Sequence, residues 1–283
     1  MPNVLHVGAS SGEIYYYANL GVSKLVYSEP DISCLDTLNK NISDYTSRNI
    51  SQPMEILVIP KACSSQSDQS LNFYANGGGQ SSLVQPGSRT IEFVGDNFIE
   101  YHVSTISLFD LTLLTFKHSI IDYLCIDTQG FEREILCSTP IDFLSHHFKV
   151  IDVELMTDTL QYSVSKDNWK HVTLHLLKAG FEPIIHPQGI TESYLFFNSK
   201  CNFTYIKPHL KILRDKFSRT VLPKDIPNDL RTLTPSLLTS LGDRQFLPFS
   251  HIGGSIHPTH LQEFRELFVS YYLKHLSSEI SIN

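Results

Sequence analysis

Residues 3–13 read Asn3-Val4-Leu5-His6-Val7-Gly8-Ala9-Ser10-Ser11-Gly12-Glu13. A short apolar run that stops at glycine reads as a buried strand. The stretch Glu13 to Leu20 reads as the helix that follows, stopped at Gly21. A glycine-bearing strand-to-helix turn lets backbone N–H groups approach a ligand and aims a helix N-terminus at it. The spacing here is G-x-x-x-G. It is not the G-x-G-x-x-G of a pyrophosphate site, because Ser10 and Glu13 stand where glycines would.

The same rhythm continues outward. Ser23 to Ser28 reads as a second strand, Ile32 to Asn41 as a helix and Glu55 to Pro60 as a third strand. Leu71 to Tyr74, Thr90 to Val94 and Ile99 to Ile106 alternate in the β manner, with a flexible Gly77-Gly78-Gly79 loop between the first two. The rhythm then resumes with a strand over Ser119 to Asp127, a helix over Gln129 to Cys137 and a strand over Lys149 to Leu155. An amphipathic helix over Asp167 to Ala179 and two strands, Phe181 to His186 and Tyr194 to Phe197, close it. Alternating strands and helices predict an α/β fold with a parallel sheet over 1–198. From Ser199 onward prolines punctuate short helical pieces, which predicts a mostly helical C-terminal extension over 199–283.

Composition sets the class. The chain has 283 residues, 41% hydrophobic and 18% charged, enough to bury a core. No apolar run reaches the ~18 residues that span a bilayer. The start carries no charged and apolar leader, so no secretory signal is expected. A formal net charge of −7 argues against a general nucleic-acid or anionic-membrane binder. Five cysteines without a C-x-x-C pair fit a reducing compartment, read as cytoplasmic.

Several residues stand where chemistry is done. Glu29, followed by Pro30, ends the second strand about 20 residues after the glycine turn, where a carboxylate accepts both hydroxyls of a ribose. The turn and Glu29 together predict an adenosine-type ligand and leave NAD and S-adenosylmethionine open. Asp127 and Glu154 end two later strands, and Glu132 lies in the first turn of the helix after Asp127, where it would also favour the helix dipole. His171 and His175 are four apart on one helix, and His257 and His260 three apart. No carboxylate completes either set, so no metal site is expected.

The chain resembles the FkbM family of S-adenosylmethionine-dependent methyltransferases over roughly residues 3–198. The resemblance rests on VLHVGASSGE (4–13), VYSEP (26–30), Lys61-Ala62-Cys63-Ser64, Ser81-Ser82-Leu83, IDYLCIDTQGFEREIL (121–136) and VIDVEL (150–155), in the family's order. It implies a class I methyltransferase fold, a Rossmann-like seven-stranded sheet whose last strand runs antiparallel. It implies that Gly8, Ala9, Ser10 and Gly12 hold the methionine part of the cofactor and Glu29 the ribose. Ala62, Cys63 and Ser64 then lie against the adenine, Ser82 near or over the cofactor, and Asp127 closest to the methyl group. The chain departs from the pattern at Cys125, where relatives often have Lys, and at Gln129, where they often have Glu.

The expectation is therefore O-methyl transfer from S-adenosyl-L-methionine to a hydroxyl of a carbohydrate or secondary metabolite. Asp127 or Glu154 would take the proton, with Glu132 as a further catalytic candidate. The extension at 199–283 would form part of the acceptor wall, or a homo-oligomer contact through the aromatic stripe of Thr259 to His275. Two other readings stay open: an NAD-dependent or nucleotide-sugar-modifying oxidoreductase, and a binding module without catalysis.

Overall fold

A computed structural model describes residues 2–19, 21–48, 54–155, 160–165, 168–184 and 193–198. They belong to one unit, Met1–Ile184 with Ser193–Ser199. The expected extension over 199–283, with His257, His260 and the Thr259–His275 stripe, lies outside the described residues.

The elements in chain order are β1 (Asn3–Val7), α1 (Ile14–Asn19), β2 (Lys24–Ser28), α2 (Ile32–Arg48), β3 (Glu55–Ile59), β4 (Ala62–Ser64), β5 (Ser70–Ala75), α3 (Ser88–Val94), β6 (Ile99–Ser107), α4 (Leu108–Phe116), β7 (Ile121–Ile126), α5 (Glu132–Ser138), α6 (Ile141–His147), β8 (Phe148–Glu154), α7 (Asn168–Lys178), β9 (Phe181–Ile184) and β10 (Ser193–Asn198). Seven of the strands form one sheet in the order β3-β2-β1-β7-β8-β10-β9. The first five run parallel, and β10 is antiparallel to both β8 and β9. The remaining three make a small sheet, β4-β6-β5, in which β4 is parallel and β5 antiparallel to β6.

The central strands are buried on both faces, as a parallel sheet between helices requires. Val4, Leu5, Leu25, Leu124 and Ile151 are all fully buried. Each such side chain contributes roughly 1.5–3 kcal/mol of transfer free energy. The same row also buries polar groups in pairs. The Tyr123 hydroxyl donates to Asp152 Oδ2 at 2.5 Å, and Tyr17 Oη lies 2.9 Å from His6 Nδ1.

Three expectations need correction. Thr90 to Val94 is not a strand but most of α3, which starts after Gly87 and stops at Gly95. Over five residues an alternating pattern and a helical one coincide, and Phe93 of that helix is 83% exposed rather than packed. Helix α2 does not stop at Asn41 but runs to Arg48, because Tyr45 continues the buried face set by Cys34 and Leu38. The helix expected from Gln129 begins only at Glu132, since Gln129 and Gly130 both have positive φ, at 55° and 105°.

Candidate functional site

The carboxyl ends of the parallel strands are brought level by backbone bonds that extend the ladder past the strands. Gly8 N donates to Ser28 O at 2.9 Å, Asp127 N to Val7 O at 3.0 Å and Glu29 N to Ile59 O at 3.1 Å. These bonds bring Gly8, Glu29 and Asp127 to one edge. Gly8 has φ +78°, and a Cβ there would lie 1.7 Å from the Asp127 carbonyl oxygen. Its first role is thus to let β1 and β7 end side by side. Gly12 serves packing instead: at φ +69° its Cβ would lie 2.4 Å from Leu38 Cδ1 of α2.

Glu29 closes the turn that Gly8 opens. Its Oε2 accepts from Ser10 N at 2.6 Å and its Oε1 from Asp31 N at 2.8 Å. Ser10 adopts φ +49° to make that bond. The carboxylate is 5% exposed. Burial pushes its pKa up to about 7, against the pull of the Asp31 and Ser10 N–H groups, and the charges of Asp31 and Asp127 add to the rise. Each oxygen holds one backbone donor, so lone pairs remain for two further donors. Asp31 is fully buried and accepts from Ser33 N, Ser33 Oγ and Ser81 Oγ.

The turn after β7 gathers the other acids. Gln129 Nε2 donates to Asp127 Oδ1 at 2.6 Å and to Glu154 Oε2 at 2.7 Å, so one neutral amide joins the two strand-end carboxylates. Its Oε1 lies 3.1 Å from the hydroxyl of Tyr162, a fully buried residue. Glu132 faces the turn itself. Its Oε1 accepts from Thr128 N, Thr128 Oγ1 and Gly130 N, each at 3.0 Å. Burial raises the Glu132 pKa to about 7 despite those donors. Ser82 pins the turn from the other side, donating towards Thr128 O at 3.1 Å and Gln129 O at 2.9 Å.

Between these groups runs a crevice with about 530 Å3 of empty space, its open mouth included. Gly8, Ser10, Glu29, Pro30 and Asp127 form its strand-end side. Ala62, Cys63, Phe73 and Leu83 form an apolar side, backed by the small sheet's core of Ala75 and Val103. Gly78, Gly79 and Ser81 complete one rim and Thr128, Gln129 and Phe131 the other. Of the expected site residues, Ala9, Gly12, Ser64, Ser82, Glu132 and Glu154 do not line it. Ser64 is buried, and its hydroxyl has no partner among the described residues. No group of three or more His, Cys, Asp or Glu placed to hold a metal occurs among the described residues.

Residues 6–183 match the profile of the methyltransferase FkbM domain, which is more than half of the chain. The chain belongs to the FkbM methyltransferase family. Among solved structures it is similar to methyltransferase FkbM from Methylobacillus flagellatus KT, at 14% identity and a TM-score of 0.44. That match covers 69% of this chain and 43% of the other, so the chain spans less than half of that relative's length. It is also similar to TrmK from M. capricolum, solved with S-adenosyl-homocysteine, at 12% identity, TM-score 0.34, covering 94% of this chain and 92% of the other. A search among curated proteins found no match.

Within the methyltransferase domain, the sequence reading missed Phe73, Leu83, Ser81, Phe131 and Tyr162. Ser81 and Leu83 had a signal, since they flank Ser82 in the segment quoted for the resemblance. Tyr162 had none: it reaches Gln129 from 33 positions further along the chain. Among the described residues no Lys, Arg or His lines the crevice.

Proposed function

We propose that the chain is an S-adenosylmethionine-dependent O-methyltransferase acting on a hydroxyl of a carbohydrate or secondary metabolite. The observation that carries this reading is Glu29: a buried carboxylate at the end of the second parallel strand, facing a crevice with lone pairs left on both oxygens. Such a carboxylate suits a ribose diol, the apolar side at Ala62, Cys63, Phe73 and Leu83 suits a purine, and Gly8 and Ser10 suit the methionine part. Bound there, the cofactor supplies a methyl group on a sulfonium.

The chain's own residues divide the remaining work. Asp127 lines the crevice and takes the acceptor's proton; Glu154 and Tyr162 hold Gln129, which holds Asp127. Glu132 and Ser82 are positioning residues, fixing the 128–130 turn from its two sides. Orienting a hydroxyl near ~3 Å from the reacting carbon removes several kcal/mol of barrier, and a positioned base contributes about 10²–10⁴-fold. Among the described residues no cationic side chain lines the crevice, which supports a neutral acceptor over a phosphorylated one.

The test is incubation of the full chain with methyl-labelled S-adenosylmethionine and a panel of glycans and small hydroxyl compounds. Labelled methyl ethers are expected, and Asp127→Asn is expected to lower turnover by about 10²-fold or more with cofactor-product affinity retained. Label recovered only on nitrogen would overturn the O-methyl assignment. Unchanged turnover in Asp127→Asn would remove Asp127 as the base.

A further inference from the structure

We propose that the groove between α5 and α7 binds a small phosphate-bearing anion, at residues distinct from those of the crevice. The groove has about 530 Å3 of empty space, open mouth included, and is lined by Arg133 and Cys137 of α5 and by His171, Leu174, His175 and Lys178 of α7. The spacing 171, 174, 175, 178 is one helix face, so these side chains share a single surface. Of the six described lining groups two, Arg133 and Lys178, are cationic and two are imidazoles, on a chain whose formal net charge is −7.

Two of the donors are already oriented. His175 Nε2 lies 2.9 Å from Thr139 O, and a carbonyl only accepts, so Nε2 carries the ring proton and this bond fixes the ring's orientation. Arg133 Nη1 is 3.4 Å from Oδ1 of Asn168, which leaves the other guanidinium N–H groups for a ligand. The thiol of Cys137 is pushed up to about 11 by burial, with Arg133 pulling down and Glu134 pushing up, so it adds no negative charge to the groove at neutral pH. The i, i+4 pair His171 and His175 has metal-ligand spacing. A guanidinium and an ammonium in the same groove repel a cation, however, and no carboxylate is among the described lining residues. Planar guanidinium with imidazole and ammonium donors is the set that grips a phosphate dianion. Basic residues late in α7 also offset its helix dipole, and they attract any small anion without selectivity, so chloride is the control.

The experiment follows the His171 and His175 ring signals of the labelled full chain at constant pH. Inorganic phosphate and a hexose 6-phosphate are titrated separately at ionic strength held constant with sodium chloride. Saturable shifts are expected with midpoints at about millimolar or below. A lower midpoint for the hexose phosphate assigns the site to phosphorylated metabolites, and equal midpoints assign it to free phosphate. Arg133→Gln and the surface variant Lys178→Gln, each with the wild-type circular dichroism spectrum, are expected to raise the midpoint about tenfold. Shifts that do not saturate, that chloride reproduces, or whose midpoints stay unchanged in both variants would overturn the proposal.

Discussion

Glu29 and Glu132 are acids held where water scarcely reaches, and both have pKa values near 7 in the folded chain against an ordinary 4.5. The unfolded chain therefore releases these protons first as pH rises. Their stabilising contribution is complete below about pH 4.5 and is lost as pH rises through about 7, by roughly 3 kcal/mol each. Thermal unfolding across that window is expected to show the loss, and Glu132→Gln is expected to flatten the slope; an unchanged slope in that variant would count against it. Gln129 carries the opposite lesson. Its amide satisfies two carboxylates at once, so Gln129→Glu would set three acids together and force one to keep a proton. That variant is expected to lose about 1–3 kcal/mol at pH 8, most of it regained at pH 5, as urea unfolding at the two values would show.

The strand ends depend on one close backbone approach. Gly8→Ala would drive a methyl into the Asp127 carbonyl, so β1 and β7 would have to part beyond residue 7. A loss of about 4 kcal/mol or more is expected in urea unfolding. Gly79→Ala, whose added methyl meets nothing within 4 Å, is expected to stay within about 0.5 kcal/mol of wild type. The five parallel strands were legible because each is an apolar run stopped by a turn residue, and Glu29 and Asp127 because they follow such runs directly. Helix α4 was not read, since Leu108 to Phe116 is apolar nearly all round; the usable signal was Ser107, whose side chain accepts from Asp110 N at 3.0 Å as a cap. The joining of Asp127, Gln129 and Glu154 was not legible either. It depends on a left-handed Gln129 and on a partner 25 residues further along the chain.

Charge is distributed unevenly over the described fold. The crevice gathers Glu29 and Asp127 with no basic lining residue, whereas the α5–α7 groove gathers Arg133, Lys178 and two histidines. Among the described residues no helix is long and apolar enough to cross a membrane. A ligand that binds only the folded chain stabilises it by about 2.7 kcal/mol at a hundredfold excess over Kd, and so raises its unfolding temperature. S-adenosylhomocysteine is therefore expected to raise the Tm, and NAD to leave it unchanged. The most direct measurement is calorimetric titration of S-adenosylhomocysteine into the full chain and into Glu29→Gln. The account predicts one molecule bound per chain at about micromolar Kd, weakened about tenfold or more in the variant. Absence of binding to the wild-type chain, or equal affinity in the two proteins, would contradict it.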